Sequence, residues 1–440
     1  MSGFGSNQVD RRAFLAAGGV ALANAALSAC MPRRIATAAP PAPGPAPGSA
    51  TGTSGIISGA SNLAVPRISW DRVIRTTVGL RPHRESGFVL RAEKFDDKTV
   101  IHDYGFGGAG MSLAWGCGAM VADTALDQAT RRAAVLGCGS PGLTAARQLQ
   151  RRGFEVTIYA MAIPPDTTSN MSWAGFTPTS GLVTRRTPEW DAQFRRAAEI
   201  SYRELQLLVD HPGYGVYWID SYAATDIDPR SVTGNSIRDR YGEGGDLLPQ
   251  PLWPERNEEI LGPGDHPFPT KYAIRSPSLG IEPNLYLDRL VRDFMLFGGK
   301  VVIRKFDTLR DLMSLPESLV VNCTGLGSKT LFNDNEIEPI KGQLTVCVPQ
   351  PELNYRVSGR LSKDAAFTDI NPRSDGIVVG NMRDRGNWSL EPNMEVRQQN
   401  MDAAIQFCAA MRPALRRGQL TKSSHSSRAP SLGEFSGAES

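Results

Sequence analysis

A glycine-rich turn between a short apolar strand and an amphipathic helix constrains this chain more than any other feature. Residues 133–136 are strand-like, residues 143–152 have helical spacing that ends at Gly153, and residues 154–159 are again strand-like. In such a βαβ frame the glycines allow a tight turn, close approach of backbone to a pyrophosphate, and packing of helix on strand. The pattern predicts a dinucleotide site at the helix N-terminus, and a glycine turn without a ligand is the alternative. The turn follows G-x-G-x-x-G as Gly137, Cys138, Gly139, Ser140, Pro141 and Gly142.

The end of the second strand indicates which dinucleotide binds. NAD sites usually place an acidic residue there for the ribose, but this strand ends in Tyr159, Ala160 and Met161, and Glu155 lies at its start. The chain has no second G-x-G-x-x-G, so a reductase with separate flavin and nicotinamide domains is not expected. A flavin dinucleotide fits better, with Met161 beside it, and an NAD-dependent dehydrogenase is the weaker alternative.

Charge and composition exclude several classes of protein. The 440 residues include 48 basic and 45 acidic side chains, a net charge of +3 that gives no electrostatic reason to expect nucleic acid as a partner. With 41% apolar and 21% charged residues, most of the chain can bury a core. Six cysteines without a CxxC pair, and five histidines without metal-ligand spacing, predict neither a disulfide scaffold nor a metal site.

The first 64 residues are typical of an export signal and a tether. Arg11 and Arg12 precede a weakly apolar stretch that ends in Leu-Ser-Ala-Cys30, the layout of a twin-arginine signal with a lipidation cysteine. A membrane-spanning anchor is the alternative, but the stretch is short and contains Asn24. Residues 1–30 are therefore predicted to be the signal peptide, 31–64 a Pro/Ala/Gly linker, and 421–440 a polar tail. Cys30 would carry lipid and anchor a periplasmic protein to a membrane.

Several segments resemble the D-amino-acid oxidase family of FAD-dependent flavoproteins. Residues 166–170 (DTTSN) and 173–176 (WAGF) are similar to its threonine-rich turn and its A-G-[LFN] loop. Residues 320–325 (VVNCTG), 339–343 (PIKGQ) and 386–388 (GNW) resemble V-V-N-[CA]-T-G, P-x-R-G-Q and G-[ND]-W. The resemblance implies an α/β (α+β) protein with a Rossmann-like FAD domain and an antiparallel substrate sheet.

Two further family-like segments precede the dinucleotide turn instead of following the G-N-W segment. Residues 79–82 (GLRP) resemble G-[LF]-R-P, and residues 102–116 (HDYGFGGAGMSLAWG) resemble the family's glycine run beside the flavin ring. Circular permutation accounts for this order, because exposed chain joints tolerate such rearrangement. We expect one unit over 65–420, with its FAD domain at about 83–185 and 299–343. The substrate domain would comprise about 65–82, 186–298 and 344–420.

The resemblance implies which residues meet the cofactor and the substrate. Arg81 would bind the substrate carboxylate, which its planar fork suits, although a structural ion pair is the alternative. Gly108 would also border the substrate. Beyond the dinucleotide turn and Met161, the implied FAD-binding residues are Gly107, Gly108, Ala109, Gly110, Met111, Ser112, Thr167, Thr168, Ser169, Ala174, Gly175, Phe176 and Leu326.

The sequence departs from the family at its substrate tyrosines. Only Tyr355 lies between the G-Q and G-N-W segments, and the counterpart of the second tyrosine falls at residues 367–369. Asp369 would bring a negative charge there, which could pair with Arg81 or meet a substrate ammonium. Tyr355 and Asp369 are both predicted to border the substrate, and no residue is assigned acid–base catalysis.

The implied activity is oxidative deamination of a D-amino acid, or a related small amine carboxylate, to a 2-oxo acid and ammonia. Dioxygen would reoxidise the flavin and give hydrogen peroxide, or a respiratory carrier would accept the electrons. A lipid-anchored FAD-binding protein without turnover is the alternative from another class, and the replaced tyrosine favours it.

Overall fold

The computed structural model describes residues 63–181, 183–209, 211–231, 247, 258–380 and 382–412. All of them belong to the compact unit Ser58–Ser440. Arg11, Arg12, the predicted lipidation site Cys30, the linker up to residue 62 and the tail from residue 421 lie outside the described residues. Among the described helices, none combines the length and the hydropathy needed to cross a membrane.

A six-stranded sheet forms the first layer, and its central strands are buried apolar runs. Its strands, in order across the sheet, are β2 (Val89–Phe95), β3 (Lys98–Tyr104), β10 (Leu319–Asn322), β4 (Arg132–Leu136), β5 (Glu155–Ala160) and β9 (Lys300–Ile303). From β3 to β9 all neighbours are parallel, and only the β2–β3 hairpin is antiparallel. Parallel strands that are buried between helices have continuous apolar sequences, which explains why residues 133–136 are all apolar. The α/β class expected from the sequence is confirmed.

Helices cover this sheet, and two of them pack unusually closely. They are α1 (Gly110–Leu126), α2 (Ser140–Arg151), α3 (Pro188–Val209) and α4 (Pro283–Leu296). A Cβ added at Gly118 of α1 would lie 2.9 Å from the backbone nitrogen of Ala145 in α2. Because a glycine at this crossing lets the two backbones approach, the N-termini of α1 and α2 come together at one end of the sheet.

A nine-stranded sheet forms the second layer. The path across it runs β1 (Val73–His83), β11 (Glu338–Cys347), β14 (Gly376–Val379), β13 (Thr368–Arg373), β12 (Tyr355–Gly359), β6 (Val216–Thr225), β8 (Tyr272–Ile281) and β7 (Glu259–Leu261), with β15 (Asp384–Arg385) paired to β11. All of its pairs are antiparallel except β12–β6. Helix α7 (Met394–Ala409) packs on one face of this sheet, over a core that includes Phe407, Ile370 and Tyr355. The short helices α5 (Leu309–Met313) and α6 (Ser328–Leu331) complete the described elements.

The segment before the dinucleotide turn is divided between the two layers. Strand β1 pairs antiparallel with β11, with Arg81 opposite Ile340, and forms an edge of the nine-stranded sheet. Strands β2 and β3 extend the six-stranded sheet, with Val100 beside Val320 of β10. One short stretch of chain thus contributes to both sheets and brings its side chains to the boundary between them.

Candidate active site

The dinucleotide turn has the backbone that its glycines predict. Gly137 adopts φ +109°, a conformation open mainly to glycine. A Cβ at this residue would also lie 2.6 Å from the carbonyl oxygen of Cys323, at the end of the neighbouring strand. A Cβ at Gly142 would overlap the carbonyl oxygen of Gly137. Glycine is therefore required at both positions for α2 to begin directly beyond β4.

The threonine-rich turn packs onto this loop. The backbone N–H of Ser140, the first residue of α2, donates a hydrogen bond to Ser169 Oγ over 3.0 Å. A Cβ at Gly139 would lie 3.0 Å from the same oxygen. Thr167 donates from its hydroxyl to Asn170 Oδ1 over 2.7 Å, which fixes the turn. The structure thus brings the two predicted cofactor segments together at the N-terminus of α2.

The second glycine run lies beside the first. Gly107 and Gly108 both have positive φ, +59° and +115°, and α1 begins at Gly110 without a side-chain cap. The position of a Cβ on Gly110 is 3.8 Å from Pro141 Cγ, so the first turns of α1 and α2 adjoin. The positive dipole ends of two helices therefore face the same region.

The A-G-F loop is fixed to the first turn of α1 by one hydroxyl. Ser112 donates to the carbonyl oxygen of Gly175 over 3.0 Å and accepts from the N–H of Thr177 over 2.8 Å. Ala174 has φ +55°, and the N–H of Phe176 bonds the carbonyl oxygen of Leu279 in β8. Ser112 thus positions this loop through its side chain, a role that its place in the sequence did not reveal.

These residues would hold a dinucleotide, whose phosphates the N-terminus of α2 and the neighbouring glycine run would accept. The positive dipole ends of α1 and α2 favour anions, and no Cβ at positions 107, 108, 137 or 139 obstructs the approach. The remaining predicted positions differ in exposure. Met161, beyond β5, is 73% exposed, Leu326 is partly buried against Val89 and Tyr104, and Cys138 and Met111 are buried.

Arg81 lies at the boundary between the two sheets. A Cβ on Gly342 would lie 2.9 Å from Arg81 Nη2, and one on Gly108 would lie 3.0 Å from Arg81 Cδ. No hydrogen bond or ion pair joins its side chain to any other described residue. Burial, followed by the charge of Arg383, lowers the pKa of Arg81 to about 10. A shielded guanidinium that is unpaired within the described chain favours an anionic ligand over the alternative of a structural ion pair.

One face of the nine-stranded sheet continues from Arg81, and we call it the site face. Trp173 packs on it against Leu344, Val346 and Val378. The carbonyl oxygen of Trp173 accepts a hydrogen bond from Asn371 Nδ2, and the guanidinium of Arg356 lies 4.8 Å from the centre of its ring. Asp369 lies two residues from Asn371 along β13 and therefore shares this face.

Arg373 of β13 also lies on the site face and pairs with Asp375, while three further arginines and one aspartate have no ion-pair partner among the described residues. Burial raises the pKa of Asp369 to about 7, against the opposing charges of Arg356 and then Arg383. Arg356 donates a hydrogen bond to Ser278 Oγ, its Nη1 has no partner in the described structure, and burial lowers its pKa to about 10. Lys341 is opposite Asp384 in the antiparallel β11–β15 pair, so the register places Arg383 opposite Gly342. Arg383 therefore lies between Arg81 and Asp369.

Two expectations at this site require correction. The prediction that Tyr355 borders the substrate is wrong. Its ring is buried with Phe268 and Tyr222 on the opposite face of the sheet, and its hydroxyl donates to the carbonyl oxygen of Ala64 over 2.7 Å. Successive residues of a strand face opposite sides, so Arg356 faces the site instead. Asp369 does face the site, but its charge partners are Arg356 and Arg383 and not Arg81.

Sequence reasoning missed Arg356 and Arg383. Arg356 directly follows Tyr355, so the register of β12 decides which of the two side chains faces the site. Arg383 immediately precedes the two-residue strand β15, and its pairing with β11 is not visible in the sequence. Trp173 was noted within its motif, but its packing under Leu344 and Arg356 was not.

Comparison with known proteins identifies the family. Residues 132–436 match the family model described as DAO, FAD dependent oxidoreductase. The chain belongs to this family. The cofactor is therefore FAD, and the alternative of an NAD-dependent dehydrogenase is wrong.

Three relatives show what the chain is similar to. It is 30% identical over 297 residues to a D-amino-acid oxidase of Rubrobacter xylanophilus, covering 65% of this chain and 78% of the relative. It is 28% identical to a D-amino acid oxidase of Dugesia ryukyuensis (59% and 72% covered) and 23% identical to a D-aspartate oxidase of Talaromyces thermophilus (62% and 76%). Glycine oxidase from Geobacillus kaustophilus matches 63% of the chain and 78% of its own at 16% identity, with a TM-score of 0.45.

Proposed function

We propose that this protein catalyses the oxidative deamination of a D-amino acid or a related small amine carboxylate. The observation that carries the proposal is Arg81, whose guanidinium has no ion-pair partner among the described residues and lies between Gly342 and Gly108, beside the glycine run that adjoins the dinucleotide turn. A carboxylate bound to Arg81 would hold the substrate next to the place where the family's cofactor binds. The names of the relatives agree with an amino-acid substrate.

The chain's own residues account for binding and orientation. Arg81 and Arg383 supply positive charge for the carboxylate, and the lack of a side chain at Gly108 leaves room beside it. FAD, when bound, supplies the acceptor for the hydride of the substrate α-carbon. Such chemistry depends on orientation of the α-carbon, which a fixed carboxylate provides. Hydrolysis of the imine would then give a 2-oxo acid and ammonia.

Dioxygen as electron acceptor, with hydrogen peroxide as product, is part of this proposal. A respiratory carrier is the second candidate, and it is favoured by the twin-arginine pattern at residues 11–12, because an exported enzyme can reach membrane carriers. A FAD-binding protein without turnover is the remaining candidate, favoured by Asp369 at the position of the family's phenol.

We also propose that the chain is a circular permutation of the family's order. The family match begins at residue 132, after the segment that contains the glycine run and Arg81. That segment supplies β1 to one sheet and β2 and β3 to the other. Ile68 near its start and Met411 near the described C-terminal end share one hydrophobic cluster, so joining the two ends would require little rearrangement.

Export and anchoring complete the proposal. FAD is loaded in the cytoplasm, so a periplasmic FAD enzyme benefits from a route that carries folded proteins. The twin arginines would supply that route, and lipid on Cys30 would hold the enzyme at a membrane. Replacement of Arg11 and Arg12 by lysine should leave a protein that contains FAD in the cytoplasm, as measured by cell fractionation and flavin fluorescence. Continued export of this variant would contradict the twin-arginine assignment.

Anaerobic reduction of the purified protein by a panel of D-amino acids and glycine-type amines tests the activity. Bleaching of the flavin absorbance by at least one of them is expected, and Arg81→Ala should weaken it for all carboxylate substrates while retaining the flavin spectrum. If no amine in the panel bleaches the flavin, the result favours the alternative of a FAD-binding protein without turnover. Reoxidation by air or by a quinone then separates an oxidase from a dehydrogenase.

A further inference from the structure

Asp369 stands out among the acidic residues of the described chain because it faces the site. Its side chain is half-buried on the site face, and no hydrogen bond or ion pair engages its carboxylate within the described residues. Its backbone is engaged in the sheet: Asp369 pairs with Ser358 of β12, and its carbonyl oxygen accepts from the N–H of Gly380. The remaining contacts of β13 on this face are made by Asn371 and Arg373, which bond the carbonyl oxygens of Trp173 and Ser172. A carboxylate left unpaired between two bonded neighbours and a cluster of arginines is available to a ligand.

The charges that act on Asp369 are those of Arg356 and Arg383, which come from two elements. Arg356 reaches it from β12, Arg383 from the residues before β15, and Arg81 from β1 lies beyond Arg383. Tyr217 of β6 lies on the far side of Arg356 and donates its hydroxyl to the carbonyl oxygen of Pro372. Two cations beside one anion leave a net positive charge that repels a further cation, so an ammonium brought among them is driven to lose a proton.

We propose that Asp369 accepts the proton of the substrate ammonium in this site. This inference rests on the proposed oxidative deamination. An amino acid arrives as an ammonium, and the bond from its α-carbon can lose hydride only when the nitrogen lone pair is free. The ammonium N–H bond breaks, its electron pair remains on nitrogen, and the proton forms an O–H bond on the Asp369 carboxylate. Asp369 then becomes a neutral acid and the amine is neutral, so charge and atoms balance.

The cationic surroundings have opposite effects on the two partners. They favour the ionised form of Asp369 and disfavour the ammonium, and both effects promote the transfer. Because burial alone would raise the pKa of Asp369 further, Arg356 and Arg383 keep the carboxylate ionised in part of the population near neutral pH. Arg356 is thus a positioning residue that acts through Asp369.

The pH dependence of anaerobic flavin reduction tests the proposal. With subsaturating D-amino acid, the wild-type second-order rate should rise up to about pH 7 and then level off, because an ionised Asp369 reacts with an ammonium. The second-order rate of the Asp369→Asn variant should rise about tenfold per pH unit through pH 9, since only free neutral amine can react. Near pH 7 it should be slower by about 10²-fold, a usual contribution of a positioned base.

Three variants sharpen this comparison. Asp369→Glu should restore the plateau, and Arg356→Gln should move the inflection to higher pH. Asp364 is an exposed aspartate a few residues earlier in the chain, and the Asp364→Asn variant should have the pH profile of the wild type. If wild type and Asp369→Asn share one pH profile while both reduce the flavin, the proposal is overturned and the proposed function stands. If wild-type reduction falls above pH 7, Asp369 acts as a protonated donor to the carboxylate, and the proposal is equally overturned.

Binding of propionate, a carboxylate without an amine, gives a readout independent of turnover. Its affinity, followed by the shift of flavin absorbance, should fall above pH 7 in the wild type because ionised Asp369 repels it. In Asp369→Asn the affinity should be independent of pH from 6 to 8. Equal pH dependence in the two proteins would remove Asp369 from the site. If propionate binds but no amine reduces the flavin at any pH in any variant, the proposed function fails and the proton transfer fails with it.

Discussion

Gly342 of β11 and Arg81 of β1 occupy positions that exclude a side chain on the glycine: a Cβ there would lie 2.9 Å from Arg81 Nη2 and 3.2 Å from its Nε. The guanidinium therefore lies directly over the β11 backbone, in the pair of strands that holds Arg81 opposite Ile340. Any substituent on this glycine must displace the charge that we propose to bind the substrate carboxylate.

Replacing Gly342 with alanine should weaken carboxylate binding without loss of the cofactor. The displaced guanidinium loses its alignment with the ligand, so we expect the Kd of propionate to rise about tenfold or more, equivalent to about 1.4 kcal/mol. Arg81→Ala should have a larger effect, about 2 kcal/mol or more, since one partner of a shielded charged pair is removed. Both are measured by titration of the flavin absorbance.

Gly262→Ala is the matched control for that experiment. A Cβ there would meet only an Asp265 carboxylate oxygen, at an ordinary contact distance of 3.6 Å, and the residue lies outside the site. Its propionate Kd should equal that of the wild type. An unchanged Kd in both Gly342→Ala and Arg81→Ala would show that Arg81 does not bind the carboxylate.

Gly139→Val should prevent retention of FAD. A Cβ at this position already approaches Ser169 Oγ to 3.0 Å, and the two γ-methyl groups would extend into the space in front of α2. The variant should purify colourless with a folded circular-dichroism spectrum, whereas Gly262→Val should remain yellow. Stoichiometric FAD in the Gly139 variant would mean that the pyrophosphate lies elsewhere.

The glycine turns and the α/β class were predictable because their signals are local. A strand, a turn and a helix within residues 132–152 determine the loop by themselves, and the threonine-rich turn follows shortly after. The arginine cluster was not predictable, because Arg81 and Arg356 lie on different strands and Arg383 directly precedes a third, and the pairing of these strands is long-range. A one-residue change of register moves a strand's side chains to the other face. The sequence alone therefore does not distinguish Tyr355 from its neighbour Arg356 as the residue that faces the site.

Asp103 should make the folded state less stable as pH rises. It is fully buried, its Oδ2 accepts only a weak 3.7 Å hydrogen bond from Cys323 Sγ, and burial raises the pKa of Asp103 to about 8. Between the unfolded pKa near 4 and about 8, the folded state binds more protons than the unfolded state, so unfolding free energy falls as pH increases, by at most about 1.4 kcal/mol per pH unit. Asp103→Asn should lessen this decline.

The measurement is the melting temperature of wild type and Asp103→Asn at intervals from pH 5 to 8. The difference between the two proteins isolates Asp103 from the other titrating groups, and it should grow with pH in favour of the variant. Asp97→Asn, which changes an exposed aspartate at the turn of the same β2–β3 hairpin, should leave the slope unchanged. A constant difference across this range would show that Asp103 is not held protonated.

Reordering the chain tests the permutation directly. A variant that begins at residue 127, continues to residue 412 and then joins a short glycine–serine linker to residues 63–126 would restore the family's order. Ile68 and Met411 share one cluster, and the carbonyl oxygen of Ala64 accepts from Tyr355 in the same region, so the new joint should be short. The cut before residue 127 falls directly after α1, close to the exposed start of β4. We expect a yellow, monodisperse protein whose propionate Kd lies within about threefold of that of the parent, because Arg81 and the glycine run keep their places in space.

A control variant that cuts within β11, after Gly342, should fail to fold, since it divides the strand that pairs with β1. The restored order should be made with several linker lengths. If none of these proteins contains FAD, residues 63–126 do not occupy the position of the family's C-terminal segment, and the permutation is refuted.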